Sequence, residues 1–110
     1  MKVIWSPEAE RALYDILDYI AQDSPENAYR FISKLKARAD HLARFPQSGR
    51  RVPERENDNL RELIEGNYRI IYRVKDQVIE VATVFEGHRR LREEEAKPST
   101  PAKKASRRKK

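Results

Sequence analysis

Residues 60–91 contain three short segments with the composition of β-strands, and only two residues separate each segment from the next. The segments are Leu60–Glu65, Tyr68–Lys75 and Val78–Glu86, and the turns between them are Gly66-Asn67 and Asp76-Gln77. Connections this short bring consecutive strands together as antiparallel neighbours. The stretch therefore predicts a three-strand antiparallel meander.

Arginines are unusually frequent in this predicted meander. They lie on or beside the strands at Arg61, Arg69, Arg73, Arg89 and Arg90. Because side chains alternate along a strand, Tyr68, Ile70, Tyr72 and Val74 share one face of the middle strand, and Arg69, Ile71 and Arg73 share the other. We expect the first face to pack on helices and the second to be partly open. An open face of guanidinium groups would suit nucleic acid or an acidic protein segment.

Two helices are predicted before the meander, and both begin with a Ser-Pro-Glu signal, at Ser6–Glu8 and Ser24–Glu26. The serine can cap the helix, the proline fits its first turn, and the glutamate complements the N-terminal end of its dipole. Apolar residues then recur every three or four positions, ending near Gln22 in the first helix and before Pro46 in the second. Because only about two residues separate the helices, they should form an antiparallel hairpin.

Two further segments complete the predicted organisation. Lys2–Trp5 has the pattern of a short opening strand. Phe45–Asn59 contains two prolines and a glycine, and it is predicted to be a loop long enough to suggest a function. The predicted fold class is α+β: an N-terminal strand and a helix hairpin packed on a mainly antiparallel sheet that ends in the meander.

Size and composition exclude several classes of protein. The chain has 110 residues, which favours one domain, and it has no cysteine and only two histidines, His41 and His88. We therefore expect no disulfide, no metal site and no cofactor. No apolar run has the length of a signal peptide or a membrane span, which predicts a soluble cytoplasmic protein without a membrane partner.

The net charge of +6 is concentrated at the C-terminus. Residues 92–110 contain eight basic and three acidic residues, which leaves residues 1–91 with 16 basic and 15 acidic residues. We predict one folded domain over residues 1–91 and a basic, disordered tail over residues 92–110. Such a tail would give at most a salt-sensitive attraction to anions that is blind to sequence.

Four segments, in this order and at these spacings, resemble the ParE/RelE family of bacterial toxins. They are WSPEAERALYDILDYIAQDSPENA, FPQSGRRVPE, RELIEGNYRIIYRV and TVFEGHR. The resemblance covers about residues 1–91 and implies the toxin of a type II toxin–antitoxin module. It also implies a cognate antitoxin partner, whose disordered segment wraps the toxin in a hetero-oligomer. Five aromatic residues are then expected in the core or in the antitoxin groove: Trp5, Tyr14, Tyr19, Tyr29 and Phe45.

The resemblance leaves two mechanisms open. ParE-like members inhibit DNA gyrase and are not enzymes, whereas RelE-like members are endoribonucleases that cut messenger RNA on the ribosome. For a nuclease, the resemblance implies Arg69 and Arg89 as phosphate-binding residues, with Arg61 and His88 as further catalytic candidates and a base at Glu54 or Glu56. For either target, we expect contacts through Arg69, Arg73, Arg89 and Arg90.

Departures from the nuclease pattern favour the ParE-like interpretation. Arg61 stands where nucleases of the family typically carry two lysines, and Glu62 and Glu65 are close to it in sequence. These carboxylates would repel RNA, and no tyrosine follows Leu91 to match the C-terminal tyrosine of the nucleases. The leading hypothesis is therefore a gyrase inhibitor. The alternatives are an mRNA endonuclease and a non-toxic module that only binds an antitoxin.

Overall fold

The structure is a computed structural model that describes residues 1–55 and 59–87. In chain order, these residues form β1 (Lys2–Trp5), α1 (Pro7–Ala21), α2 (Pro25–His41), β2 (Arg50–Arg51), a 3₁₀ helix (Pro53–Arg55), β3 (Leu60–Glu65), β4 (Tyr68–Lys75) and β5 (Val78–Glu86). The helices pack as a hairpin on a mostly antiparallel sheet, which confirms the predicted α+β fold.

The five strands within the described residues form one sheet in the order β1-β5-β4-β3-β2. The meander β3-β4-β5 is antiparallel as predicted, and β2 extends it antiparallel beside β3. β1 pairs with β5 in parallel, with Trp5 opposite Val81. Parallel neighbours need a long connection, and here the helix hairpin and strands β2 to β4 all lie between β1 and β5 in the chain.

Both predicted serine caps are present. Ser6 Oγ accepts a hydrogen bond from the Ala9 amide at 3.0 Å, and Ser24 Oγ accepts one from the Asn27 amide at 3.2 Å. The buried Ser6 hydroxyl also donates to the Ala82 carbonyl at 2.8 Å. The residue that starts α1 therefore also ties the helix to β5.

The main core lies between the helix hairpin and one face of the sheet. The apolar stripes of both helices and the predicted inner face of the meander meet there, including Leu13, Ile16, Leu35, Ala39, Ile70, Tyr72, Val81 and Val84. Tyr68 and Val74 pack against the same cluster. The prediction that this face of β4 covers the helices is therefore confirmed.

The opposite face of the sheet has a second, smaller apolar cluster. Its members are Val52, Leu60, Ile71, Ala82 and Phe85. A β-bulge contributes to it, because Ile71 pairs with Thr83 and Tyr72 pairs with Val81, which leaves Ala82 as the extra residue of β5. The expectation of a partly open face is wrong at Ile71, which is fully buried.

Part of the predicted loop Phe45–Asn59 has regular structure. Arg50 and Arg51 form β2 by pairing with Glu62 and Arg61 of β3, and a 3₁₀ helix follows at Pro53–Arg55. Val52 is fully buried in the smaller cluster, and its amide donates to the Leu60 carbonyl at 3.2 Å. The prediction of a loop is therefore wrong at Arg50–Arg51 and Pro53–Arg55, where the buried Val52 fastens the chain to the sheet.

Four of the five aromatic residues predicted for the core or the antitoxin groove lie on the surface. Tyr14, Tyr19, Tyr29 and Phe45 are exposed, which excludes a place in the core for them.

Within residues 1–55 and 59–87, neither helix has the length and apolar character that crossing a bilayer requires. The predicted tail at residues 92–110 lies outside the described residues and stays a prediction.

Candidate functional site: an arginine–glutamate cluster beneath the β2 segment

Four charged side chains meet on the sheet face that carries the smaller apolar cluster. We call them the arginine–glutamate cluster: Arg50, Glu54, Glu62 and Arg69. Nη1 and Nη2 of Arg69 donate to Oε2 and Oε1 of Glu54 at 2.9 and 3.0 Å. Nε of Arg69 donates to Oε1 of Glu62 at 2.7 Å. All three guanidinium nitrogens of Arg69 are therefore directed at carboxylates, in the paired geometry that makes arginine–carboxylate contacts strong.

The cluster is balanced in formal charge, and three of its side chains are largely buried, whereas that of Arg50 is 67% exposed. The Glu62 side chain is 0% exposed and the Arg69 side chain 7%, and Arg50 completes the set with an ion pair to Glu62. The pKa of Arg69 is raised, chiefly by its hydrogen bond with Glu54 and further by Glu62, although burial acts in the opposite direction. The Phe85 ring centroid lies 5.1 Å from Cζ of Arg69 and adds a cation–π contact. Burial of these charges is tolerable because each has an opposite partner.

Strand register explains how the cluster forms. Arg50 lies directly opposite Glu62 across β2 and β3, so the two side chains share a face. Arg69 lies opposite Ile64, two positions along β3 from Glu62 and on the same face. Glu54 comes from the 3₁₀ helix, which follows immediately after the buried Val52. Residues 45–55, which we call the β2 segment, thus place a carboxylate against an arginine that the meander alone would leave uncovered.

A second set of contacts fastens the same segment from the helix side of the sheet. The Tyr72 hydroxyl donates to the Pro46 carbonyl at 2.8 Å and accepts from the Gly49 amide at 3.0 Å. Nη1 of Arg61 donates to the Gly49 carbonyl at 2.7 Å. Burial raises the pKa of Tyr72, while the Gly49 hydrogen bond and the positive charge of Arg61 oppose this effect.

Replacing Tyr72 with phenylalanine should weaken the fold and alter its response to alkaline pH. At neutral pH the loss of both hydrogen bonds should lower the free energy of unfolding by about 1–3 kcal/mol. The pKa of Tyr72 is raised above 10.0, so the folded state holds the phenolic proton more tightly than the unfolded chain does. The contribution of the Tyr72 hydroxyl to the free energy of unfolding is therefore complete below about pH 10, and it is lost as pH rises through the pKa of the folded state.

Urea unfolding measured from pH 7 to 11 tests this prediction. The wild type should lose stability above about pH 10, and Tyr72→Phe should lose less over the same range. Some dependence should remain in the variant, because burial also raises the pKa of Tyr68. If the free energy of unfolding falls by the same amount with pH in both proteins, the prediction is wrong.

The structure separates the arginines that the sequence grouped together. The expectation of an open arginine face is wrong at Arg69, which is 6% exposed because the β2 segment covers it. Arg73 is partly buried and forms a long ion pair of 3.9 Å with Glu80. Arg61 lies opposite Tyr72, on the helix side of the sheet and therefore away from Arg69. Their predicted roles in target binding or catalysis stay predictions.

Three other candidates, His88, Arg89 and Arg90, lie outside the described residues, as does Glu56. The sequence offers Glu62 or Glu80 as an ion-pair partner of Arg69 if that arginine has no role in target binding, and the pairing with Glu62 is present. The part that sequence reasoning missed is the pairing of Glu54 with Arg69. Its only local signal is Val-Pro-Glu in a charged segment, which does not reveal what the glutamate contacts.

The helix hairpin offers a separate apolar surface. A cavity of about 140 Å³ opens between the helices beside β1, with Trp5, Leu13, Tyr14, Leu17 and Ile32 among its lining residues. Tyr14 is 65% exposed beside it, and Tyr19 and Tyr29 are also exposed. Large exposed aromatic residues near an apolar cavity are typical of a protein-binding surface.

Within the described residues, no group of three His, Asp or Glu side chains could hold a metal ion.

Comparison with known proteins places the chain in a family. Residues 3–91 match the family described as the ParE toxin of type II toxin–antitoxin system, parDE. The chain therefore belongs to the ParE toxin family. It is also 37% identical over 84 residues to Toxin RelE2 of Caulobacter vibrioides, an alignment that spans 76% of this chain and 91% of the relative.

Two solved structures share the fold. A chain of the chromosomal ParDE TA system from P. aeruginosa aligns with a TM-score of 0.67 and 24% identity, over 78% of this chain and 95% of that chain. A chain of the toxin–antitoxin complex RelBE2 from Mycobacterium tuberculosis aligns with a TM-score of 0.58 and 22% identity, over 77% of this chain and 95% of that chain. The ParE/RelE resemblance found in the sequence is thereby confirmed.

Proposed function

We propose that this toxin inhibits DNA gyrase by protein–protein contact, without cutting RNA, and that a cognate antitoxin neutralises it. Membership of the ParE toxin family supports the class of target. On this proposal the protein needs no cofactor, and no residue forms or breaks a covalent bond.

The main support for the proposal is that Arg69 is already paired with two carboxylates. An RNA-cutting site needs cationic donors directed at the phosphate, where charge develops in the transition state. Arg69 already donates to Glu54 and Glu62, so a phosphate would have to displace a buried carboxylate and then lie beside another. Both steps are unfavourable, because a buried carboxylate loses its partner and two anions come close together.

The antitoxin is proposed to cover the surface around the hairpin cavity. Both solved relatives described above come from systems named with their antitoxins. The exposed Tyr14 and the cavity lined by Leu17 and Ile32 offer apolar area to a partner segment. A disordered segment that folds on this surface would bury that area and form the expected hetero-oligomer.

The decisive experiment measures DNA supercoiling by gyrase and cleavage of a translated message side by side. Purified toxin should block DNA supercoiling by gyrase in a dose-dependent way and leave a translated message intact. Adding the protein encoded next to the toxin should restore supercoiling. Unchanged gyrase activity at saturating toxin would overturn the proposal, and cleavage of the message would select the nuclease instead.

An RelE-like mRNA endonuclease is the second candidate, and one observation favours it: the 37% identity to a protein named Toxin RelE2. It predicts cuts in messages only while ribosomes translate them.

The third candidate is a non-toxic antitoxin-binding module. It predicts normal growth of cells that make the folded protein alone, whereas growth arrest would exclude it.

A further inference from the structure

The two helices of the hairpin carry exposed charges of mainly opposite sign. Counting aspartate, glutamate, lysine and arginine, the exposed charges are mostly acidic on α1 and mostly basic on α2. They are Glu10, Arg11, Asp15 and Asp18 on α1, and Glu26, Arg30, Lys34, Lys36 and Asp40 on α2. A nucleic acid laid across both helices would meet like charges on α1, so this surface does not suit it.

Glu10 and Lys36 lie at the same level of the hairpin. Both line the cavity of about 140 Å³ between the helices, Glu10 from α1 and Lys36 from α2. Tyr14 and Ile32 line it too, and each lies four residues nearer to the connection between the helices. Because the helices are antiparallel, the two rows of residues therefore run in step along the cavity.

A two-fold axis parallel to the helices makes this face complementary to itself. The rotation places α1 of one copy over α2 of the other and keeps each residue at its own level along the axis. Glu10 then meets the second copy's Lys36, and Lys36 meets the second copy's Glu10. An axis across the helices would instead place α1 over α1, with acidic residues facing each other. Charge complementarity therefore selects the first arrangement, an antiparallel four-helix bundle.

The same arrangement covers apolar surface. Tyr14 is 65% exposed and Tyr29 75%, and Tyr29 lies on the cavity side of α2 because it is three residues from Ile32. The helices have 15 and 17 residues, so at about 1.5 Å per residue and about 10 Å per helix the face measures about 25 by 20 Å. Two such faces give about 1,000 Å², at the low end for specific interfaces, and the contact should be weak.

We propose that the free toxin forms a two-fold dimer through its helix hairpin, with reciprocal contacts between Glu10 and Lys36. The proposal does not depend on whether gyrase is the target. It concerns the toxin without its antitoxin, because the antitoxin is proposed to cover the same surface. A weak dimer of this kind covers the apolar part of the hairpin until a tighter partner replaces the second copy.

Sedimentation equilibrium of the full chain at increasing concentration tests the proposal. The mass should rise from 13.0 kDa toward twice that value. Lys36→Glu should weaken association by about tenfold or more, because two attractive pairs in each dimer become repulsive. The matched control is Lys34→Glu, which makes the same charge change at an exposed residue of α2 that does not line the cavity. This control should associate as the wild type does.

Reversing both charges gives a sharper result. Glu10→Lys combined with Lys36→Glu restores opposite charges across the axis, so the double variant should recover the affinity that Lys36→Glu loses. A double variant that associates as weakly as Lys36→Glu would overturn the proposal. A wild type that stays at 13.0 kDa over the whole concentration range would overturn it as well.

Cross-linking of the wild type requires no substitution and therefore no assumption about the folding of a variant. A carbodiimide joins a carboxylate directly to an amine with loss of water, so it should link Glu10 to Lys36. In a mixture of isotope-labelled and unlabelled chains, a cross-linked peptide that carries one label shows that the link joins two copies. Links found only within one chain, or mixed-label links only at other lysines, would contradict the proposed dimer.

Discussion

Replacing Arg69 with alanine should lower the free energy of unfolding by about 3–5 kcal/mol, as expected when one partner of a buried ion pair is removed. The change takes away three donors from Glu54 and Glu62, and Glu62 has a side chain that is 0% exposed. The two carboxylates would then face each other without the guanidinium between them. Folded domains have only about 5–15 kcal/mol of net stability, so much of the variant could be unfolded at 37 °C.

Urea unfolding of matched variants measures this effect. Arg38→Ala is the control, because its ion pair with Glu65 lies at the surface, with the Arg38 side chain 37% exposed, and it should lower the free energy of unfolding by about 1 kcal/mol or less. In a Glu54→Gln background, the cost of Arg69→Ala should fall by about 1 kcal/mol or more, because one of the stranded carboxylates is neutral. A change of less than about 1 kcal/mol for Arg69→Ala alone would show that the cluster is not structural.

The result also determines how activity data on Arg69 should be interpreted. A variant that fails to fold loses every activity, whether the toxin acts on gyrase or on a message. Loss of toxicity in Arg69→Ala therefore identifies a functional residue only if the variant is as stable as the wild type. Arg61 and Arg51 are better probes of function, because neither belongs to the buried cluster.

Replacing Gly49 with alanine should cost about 3 kcal/mol, at the upper end of the usual cost of overpacking. A Cβ at this position would lie 2.6 Å from the Glu62 carbonyl oxygen and 2.7 Å from the Tyr72 hydroxyl oxygen. The β2 segment and β3 would have to separate, and the hydrogen bonds of Gly49 with Tyr72 and Arg61 would weaken together. Hydrogen exchange at the Val52 amide should accelerate, because that amide closes the β2 pairing.

Gly66→Ala is the matched control for this prediction. Gly66 has a φ of +61°, and an added Cβ would have only ordinary contact, at 3.7 Å from Phe31. The backbone conformation alone should cost about 1–2 kcal/mol and leave exchange at Val52 unchanged. If the two variants lose the same free energy of unfolding, the tight packing of Gly49 against Glu62 and Tyr72 does not determine how the β2 segment is attached.

These two predictions concern one structural feature, the attachment of the β2 segment to both faces of the sheet. Val52 fills the smaller apolar cluster on one face, and Glu54 pairs with Arg69 there. On the other face, Tyr72 and Arg61 hold Gly49. The attachment therefore covers the arginine face of the meander at Arg69.

Much of the fold could be predicted because its signals are local. The Ser-Pro-Glu starts at Ser6 and Ser24 act within one turn of helix, and the caps are present as expected. Alternation along Tyr68–Lys75 assigned the helix-covered face of β4 correctly, because the period of a strand depends only on backbone geometry. Two-residue turns likewise fixed the neighbours within the meander.

The candidate site could be predicted only in part. Arg69 could be identified as a candidate, and Glu62 was one of two possible ion-pair partners, with Glu80, because both lie on strands next to that of Arg69. The Glu54 contact could not be predicted, because it joins residues 15 positions apart through a segment with no periodic pattern. The bulge at Ala82 and the burial of Val52 also leave no mark in composition or spacing.

The sequence by itself determined the helix hairpin, the meander, the strand faces and the membership of a toxin family, since each follows from signals carried over a few residues or from an ordered set of motifs. Only the tertiary structure decided which arginines are buried and which groups they contact. The physical reason is that exposure of a side chain depends on what folds over it. At Arg69 that cover is a glutamate brought from a distant segment, and at Arg61 it is a neutral backbone carbonyl.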